Sequence, residues 1–142
     1  MSLTTSEKRA LLEKVPLFRD CAPDVLDRLA EACGEFEFAP GELIVRQGQV
    51  GNGLYIVVSG GARIVQGDRE LAHLGPGDFI GELAVIDQRP RAASAQADGP
   101  TTCLTLASWD LLAMLDRDPT LALNLLRELA ARLRRADEQI RH

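Results

Sequence analysis

The stretch from Phe79 to Ser94, FIGELAVIDQRPRAAS, sets one carboxylate, Glu82, and one guanidinium, Arg91, around a short apolar turn inside a chain otherwise rich in strand-like segments. Phe79 and Ile80 read as the end of a strand, Gly81 as a place for an unusual backbone angle or a close approach, and Glu82 as the start of a short helix-like ELAVI segment. A helix start offers free N–H groups and the positive end of the helix dipole, and Arg91 adds a planar fork of donors that suits phosphate. Glu82 would repel an anion, so its expected partner is a hydroxyl of the same ligand, such as a ribose 2′-OH. Pro90 has no backbone donor and a fixed φ, which helps to aim Arg91 as the chain re-enters a strand. Together these residues suit a sugar phosphate.

Upstream of this stretch the hydrophobic period changes. Residues 1–34 read as helical: Thr4 and Glu7 stand at capping-box spacing before ALLEKV, Pro23 sits at a helix start and Gly34 at its end, and Leu26, Leu29, Ala30 and Cys33 share one apolar face for the core. From Glu35 the sequence alternates, Glu35-Phe36-Glu37-Phe38, and strand-like runs follow at LIVRQ, LYIVVS, ARIVQ and ELAHL and, beyond the opening stretch, at ASAQA and TCLTLA. Turn residues separate them, among them Pro40-Gly41, Gly51-Asn52-Gly53, Gly60-Gly61, Gly67-Asp68 and Gly75-Pro76-Gly77-Asp78, at the spacing of a small antiparallel barrel or jelly roll. Gly51-Asn52-Gly53 reads as punctuation, because it lacks the third glycine and the strand-to-helix setting of a dinucleotide fingerprint.

Downstream, Ser108 is the expected cap of WDLLAML, and Asp118-Pro119 opens a long helix towards His142. Leu126, Leu129, Leu133, Ala136 and Ile140 recur at steps of three and four, and that stripe fits packing on the strands and a dimer seam equally well. The arginines at 127, 132, 134, 135 and 141 read mainly as a solvated face.

The composition of 142 residues, 46% hydrophobic and 4% aromatic, fits one domain with an aliphatic core. A formal charge of −5 argues against a direct nucleic-acid contact. Cys21, Cys33 and Cys103 are an odd, widely spaced set, which suggests neither disulfides nor zinc and fits a reduced, cytoplasmic setting. No stretch has the ~18 apolar residues of a membrane helix, so membrane insertion is not expected. His73 and His142 are too few for a cupin-type metal centre, no Gly-x-Ser-x-Gly element supports Ser/His/Asp catalysis, and neither a metal nor an enzyme activity is expected.

The opening stretch closely resembles the phosphate-binding cassette of the cyclic nucleotide-binding domain family, in Phe79-Ile80-Gly81-Glu82-Leu83-Ala84 followed after a spacer by Pro90-Arg91-Ala92-Ala93-Ser94. Gly41, Ile44, Gly48, Tyr55, Ile56 and Gly60 resemble the β-roll half of that family, so the likeness covers most of the chain. The resemblance implies a mainly β fold with flanking helices: N-terminal helices over 1–34, an antiparallel β-roll (a jelly roll, or double-stranded β-helix) over 35–107 that contains the cassette at 79–94, and a C-terminal helical lid over 108–142, as a single domain over 1–142. It implies that Arg91 grips the exocyclic phosphate oxygens, that Glu82 takes the ribose 2′-OH, and that N–H groups of Gly81, Ala84 and Ala92 complete a ligand-binding set of Gly81, Glu82, Leu83, Ala84, Arg91, Ala92, Ala93 and Ser94. Arg132 is the residue expected to stack on the purine from the lid. Family members that prefer cGMP often carry Thr or Ser directly after the cassette arginine, so Ala92 points to cAMP over cGMP by about tenfold, or ~1.4 kcal/mol. The implied role is a regulatory domain in signal transduction that couples ligand to movement of the C-terminal helix, with a homodimer through that helix and an effector domain or partner. A sensor fragment of a DNA-binding regulator and a degenerate scaffold that binds no nucleotide are the other readings.

Overall fold

The computed structural model describes residues 2–51, 53–81 and 89–140, the side chains of 139 and 140 excepted. The chain begins with helix α1 (Thr5–Glu13), whose start is fixed reciprocally: the Glu7 N–H donates to Thr4 Oγ1 at 3.1 Å and the Thr4 N–H to Glu7 Oε1 at 3.0 Å. Those bonds hold the Glu7 carboxyl below its usual range, the backbone N–H of Thr4 being the larger cause. A 3-10 turn (Pro16–Phe18) leads to α2 (Pro23–Ala32), with Pro23 in its first turn. Leu26, Leu29, Ala30 and Cys33 are all buried, as the apolar stripe predicts. Gly34 does not end α2: the cap is Cys33, and Gly34 opens the first strand, where a Cβ would stand 3.0 Å from Thr105 Oγ1.

Eight strands follow: β1 (Gly34–Phe38), β2 (Leu43–Val45), β3 (Gly53–Ser59), β4 (Ala62–Gln66), β5 (Arg69–Leu74), β6 (Phe79–Ile80), β7 (Ser94–Ala97) and β8 (Thr101–Ala107). They form two four-stranded sheets in the orders β1-β8-β3-β6 and β2-β7-β4-β5, every neighbour antiparallel. This is the expected β-roll with flanking helices.

The central strands of the first sheet bury apolar side chains on both faces, because successive residues point to opposite sides and both sets include apolar ones. Leu54 and Ile56 of β3, Leu104 and Leu106 of β8 and Phe79 of β6 pack with α1, α2 and the C-terminal helices, in a cluster that includes Leu12, Phe18, Leu29, Leu111, Leu121 and Leu125. Val57, Cys103 and Ile80 point the other way and meet Ile44, Val45, Ala62, Ala95 and Ala97 inside the roll. Phe38 and Tyr55 close one side of that interior with rings 6.4 Å apart, edge to face. Burial pushes the thiols of Cys21, Cys33 and Cys103 up to about 11, helped at Cys21 by the nearby Asp118 carboxylate.

Helix α3 (Ser108–Arg117) starts one residue earlier than expected: Ala107 is the extended N-cap, and Ser108 is already helical. In α4 (Pro119–Ile140), Asp118 caps the start, its Oδ1 accepting from the Thr120 N–H at 2.9 Å. Asn124 ties α4 to the 3-10 turn, its Nδ2 donating to Leu17 O at 3.0 Å and Arg19 O at 2.7 Å. The apolar stripe foreseen on this helix divides. Leu121 and Leu125 are buried and Leu129 packs partly inward, whereas Leu126 and Leu133 turn outward, 63% and 71% exposed, with Leu123 and Ala130 beside them. Ala136 is exposed too, and the Ile140 side chain lies outside the described residues.

Candidate functional site

The Arg91 side chain occupies a niche made of backbone. Gly48 N–H donates to Arg91 O and Arg91 N–H to Gln49 O, both at 2.9 Å, and Val50 bridges to Pro90, so the Pro90-Arg91 limb is stitched to the segment before β3. Arg91 Nη2 donates to Gly53 O at 3.0 Å, and the residue is only 8% exposed. A Cβ on Gly51 would overlap the guanidinium through Nη2, and one on Gly81 would overlap it through Nη1. Gly81 also has φ +94°, a conformation that only glycine adopts without strain. With the guanidinium in this place neither position has room for a Cβ, and Gly81 is also held to glycine by its backbone conformation.

Gly51 and Gly53 are thus more than the turn punctuation that their local sequence suggests. Their role depends on a side chain some forty positions further on, and no local pattern carries that information. Of the other expected residues, Ala92 is exposed and Ala93 half-buried. The Ser94 hydroxyl accepts from the Gln47 N–H at 2.8 Å and begins β7. Glu82, Leu83 and Ala84 lie outside the described residues.

Arg132 reaches the same region from α4. Its guanidinium carbon sits 4.4 Å from the centroid of the Phe79 ring, and its Nη2 donates to Phe79 O at 3.2 Å. Phe79 is buried and pairs with Ile56, and its neighbour Ile80 pairs with Tyr55. One guanidinium therefore follows Gly81 from within the roll while another covers the strand that leads into Gly81.

The family model described as "Cyclic nucleotide-binding domain" matches residues 35–118. The chain belongs to this family. It is 38% identical over 130 residues to the cyclic AMP receptor protein of Thermus thermophilus, covering 88% of this chain and 60% of the relative. It is 36% identical over 111 residues to the cAMP-dependent protein kinase regulatory subunit of Blastocladiella emersonii, covering 72% of this chain and 28% of that subunit. The regulatory domain of Toxoplasma gondii PKA, in co-crystal with cAMP, superposes with a TM-score of 0.80 at 28% identity, over 90% of this chain and 50% of that one. The chain thus spans less than two thirds of the length of each of these proteins.

For a cyclic nucleotide-binding domain, the described half of the cassette has the elements of an anion site: a buried cation held by backbone and a glycine in a left-handed conformation beside it. Two surface depressions, of about 340 and 330 Å³, lie between α1 and α2 and between α2 and α3, and no cassette residue lines either. Both are open and rimmed by exposed charges, and the convergent chemistry is at Arg91. Among the described residues no cluster of three or more metal-ligating side chains occurs, and no helix is long and apolar enough to cross a membrane.

Proposed function

We propose that residues 1–142 are a single sensory domain that binds a cyclic nucleotide, cAMP in preference to cGMP, and couples binding to the position of α4. The observation that carries this reading is the Arg91 guanidinium, buried in a glycine-shaped niche beside Gly81. Desolvation at such a point is costly unless the charge is hydrogen-bonded, and a phosphate would add charge-assisted bonds to the one that Gly53 O already accepts. In this reading Arg91 holds the exocyclic oxygens, Glu82 takes the ribose 2′-OH, and N–H groups of the cassette complete the cradle. Ala92 carries no hydroxyl for a guanine amino group, which supports cAMP over cGMP.

The coupling is a population shift. Arg132 rests on the ring of Phe79, and a purine entering beside the cassette would offer a second π-face to the same guanidinium. A ligand that engages both Arg91 and Arg132 favours the arrangement in which α4 is drawn to the cassette. The outer stripe of α4, Leu123, Leu126, Ala130 and Leu133, supports a homodimer through this helix. An effector domain or partner would receive the signal, the domain itself making no nucleic-acid contact, no membrane insertion and no use of metal. Three protonated, buried thiols suit a reducing, cytoplasmic setting. The domain acts by binding, not by catalysis.

Calorimetric titration with cAMP and cGMP tests the reading. Saturable cAMP binding is expected, about tenfold tighter than cGMP. Arg91→Ala should weaken it by about 2–3 kcal/mol, because a desolvated charged bond is lost, and Glu82→Ala by about 1–2 kcal/mol. No saturable heat from the unmutated chain at millimolar nucleotide would overturn the proposal in favour of a scaffold that binds none.

A further inference from the structure

Phe79 and Arg132 meet with unequal freedom. On one side of Phe79 the Val57 N–H donates to Asp78 O at 2.9 Å, and on the other Ile80 pairs with Tyr55. The ring is buried in the cluster that holds Leu54, Ile56 and Leu106. It belongs to the sheet and is fixed by it. Arg132 is a long side chain at a half-buried position of α4, with many rotamers to choose from.

Two groups of Phe79 meet the guanidinium. The carbonyl accepts from Nη2 at 3.2 Å, and it would stand there with any residue at this position. The ring, 4.4 Å from the guanidinium carbon, supplies a negative π-face that no aliphatic side chain replaces. The rotamer entropy lost in fixing an arginine is comparable with what such contacts return at a half-exposed site. The population of this rotamer therefore responds when either contact is weakened, and a ligand that needs the rotamer binds in proportion to that population. The same short segment reaches the other arginine, since Ile80 faces the roll interior and Gly81 lies against the Arg91 guanidinium.

We infer that Phe79 is a positioning residue for nucleotide binding: its ring, through the cation–π contact, holds the Arg132 guanidinium over the strand that enters the cassette before a ligand arrives. The inference rests on the proposed binding of a cyclic nucleotide that engages Arg132. Phe79 also fills space in the core, so its replacement by a smaller residue would mix the two roles. A probe that keeps the shape of the ring and changes only its charge distribution separates them.

The test places phenylalanines with one, two and three ring fluorines at position 79, which weaken the π-face stepwise with little change of shape. Affinity for cAMP is measured by calorimetry in the otherwise unmutated chain and again with Arg132→Ala. In the first series the affinity should fall step by step, to about two- to fourfold weaker at three fluorines, as for the loss of one partly exposed cation–π contact. With Arg132→Ala the series should be flat. An affinity that ignores fluorination, or the same decline with and without Arg132, would show that the ring acts only as core packing and would overturn the inference while leaving cyclic nucleotide binding intact. Failure of the unmutated chain to bind cAMP would overturn both.

Discussion

The roll interior and the helical layer share the first sheet, yet they hold their two proposed ligand-facing arginines, Arg91 and Arg132, by different means. On the roll side, Arg91 is fixed through backbone: both of its main-chain polar groups are paired, its side chain donates to Gly53 O, and two glycines give it room. On the helical side, Arg132 lies across a ring and one carbonyl, half-buried, on a long helix whose far end is solvent-exposed. Backbone bonds in a β-structure are released only by local unfolding, whereas a side chain resting on a ring is released by a change of rotamer or a small movement of the helix. The proposed site is thus built into the layer held by backbone bonds, and the contact proposed to move belongs to the other. The junction is β6, whose two residues divide between them: Ile80 faces the roll interior and Phe79 the helices.

The strongest way to break this contrast is at the niche. Gly81→Ala forces an L side chain into φ +94° and into the guanidinium, and should cost about 1–3 kcal/mol of stability together with most of the nucleotide affinity. Gly51→Ala separates the two causes, since Gly51 meets the same guanidinium without a positive φ. It should displace Arg91 and lose affinity while costing less stability, measured by denaturant titration beside calorimetry. Equal stability losses in the two variants would mean that backbone strain contributes little and that the clash dominates.

A smaller effect is expected at the helical side. Arg132→Ala removes a cation–π contact and a charge-assisted bond at a half-exposed position, together worth about 1 kcal/mol after allowance for solvent. The loss should appear locally, as faster amide exchange in the second half of α4, with little change in the global unfolding midpoint. Arg132→Lys should recover only part of it, because an ammonium cannot lie flat on the ring while donating to Phe79 O. Uniformly faster exchange throughout the roll would show that Arg132 is a structural strut for both layers.

How much of this was legible in the sequence follows from the range of each signal. The strands at β1, β3, β4, β5 and β8 stand where alternation places them, and the Thr4 and Glu7 capping box closes as its spacing requires, because these are signals between near neighbours. Gly81 and Arg91 could be singled out for the same reason. The outward turn of Leu126 and Leu133 could not be: α4 carries leucines on opposite faces, and spacing of three and four does not say which face meets the sheet. Gly51 and Gly53 meet the Arg91 side chain some forty positions along the chain, so only the folded register brings them together. Ser108 was misplaced as a cap because β8 runs extended through Ala107 and leaves the serine inside the helix.

The smallest effect compares the two layers through their thiols. Cys103 lies inside the roll, and Cys21 and Cys33 lie in the helical layer, all three pushed from about 9.0 in the ordinary thiol to about 11 by burial. The unfolded chain loses these protons first, so their contribution to stability is complete below pH 9 and is lost as pH rises towards 11. The unfolding midpoint should therefore fall across that window, and Cys103→Ala should make the fall shallower. At pH 8.5 in the native protein, alkylation requires opening of the layer that holds the thiol, so its rate reports local stability. Cys21 and Cys33 should react before Cys103 if the helical layer is the one that moves. Labelling of Cys103 at the same rate as Cys21 would mean that the roll opens as readily as the helices, and the division between a fixed binding layer and a movable reporting layer would fail.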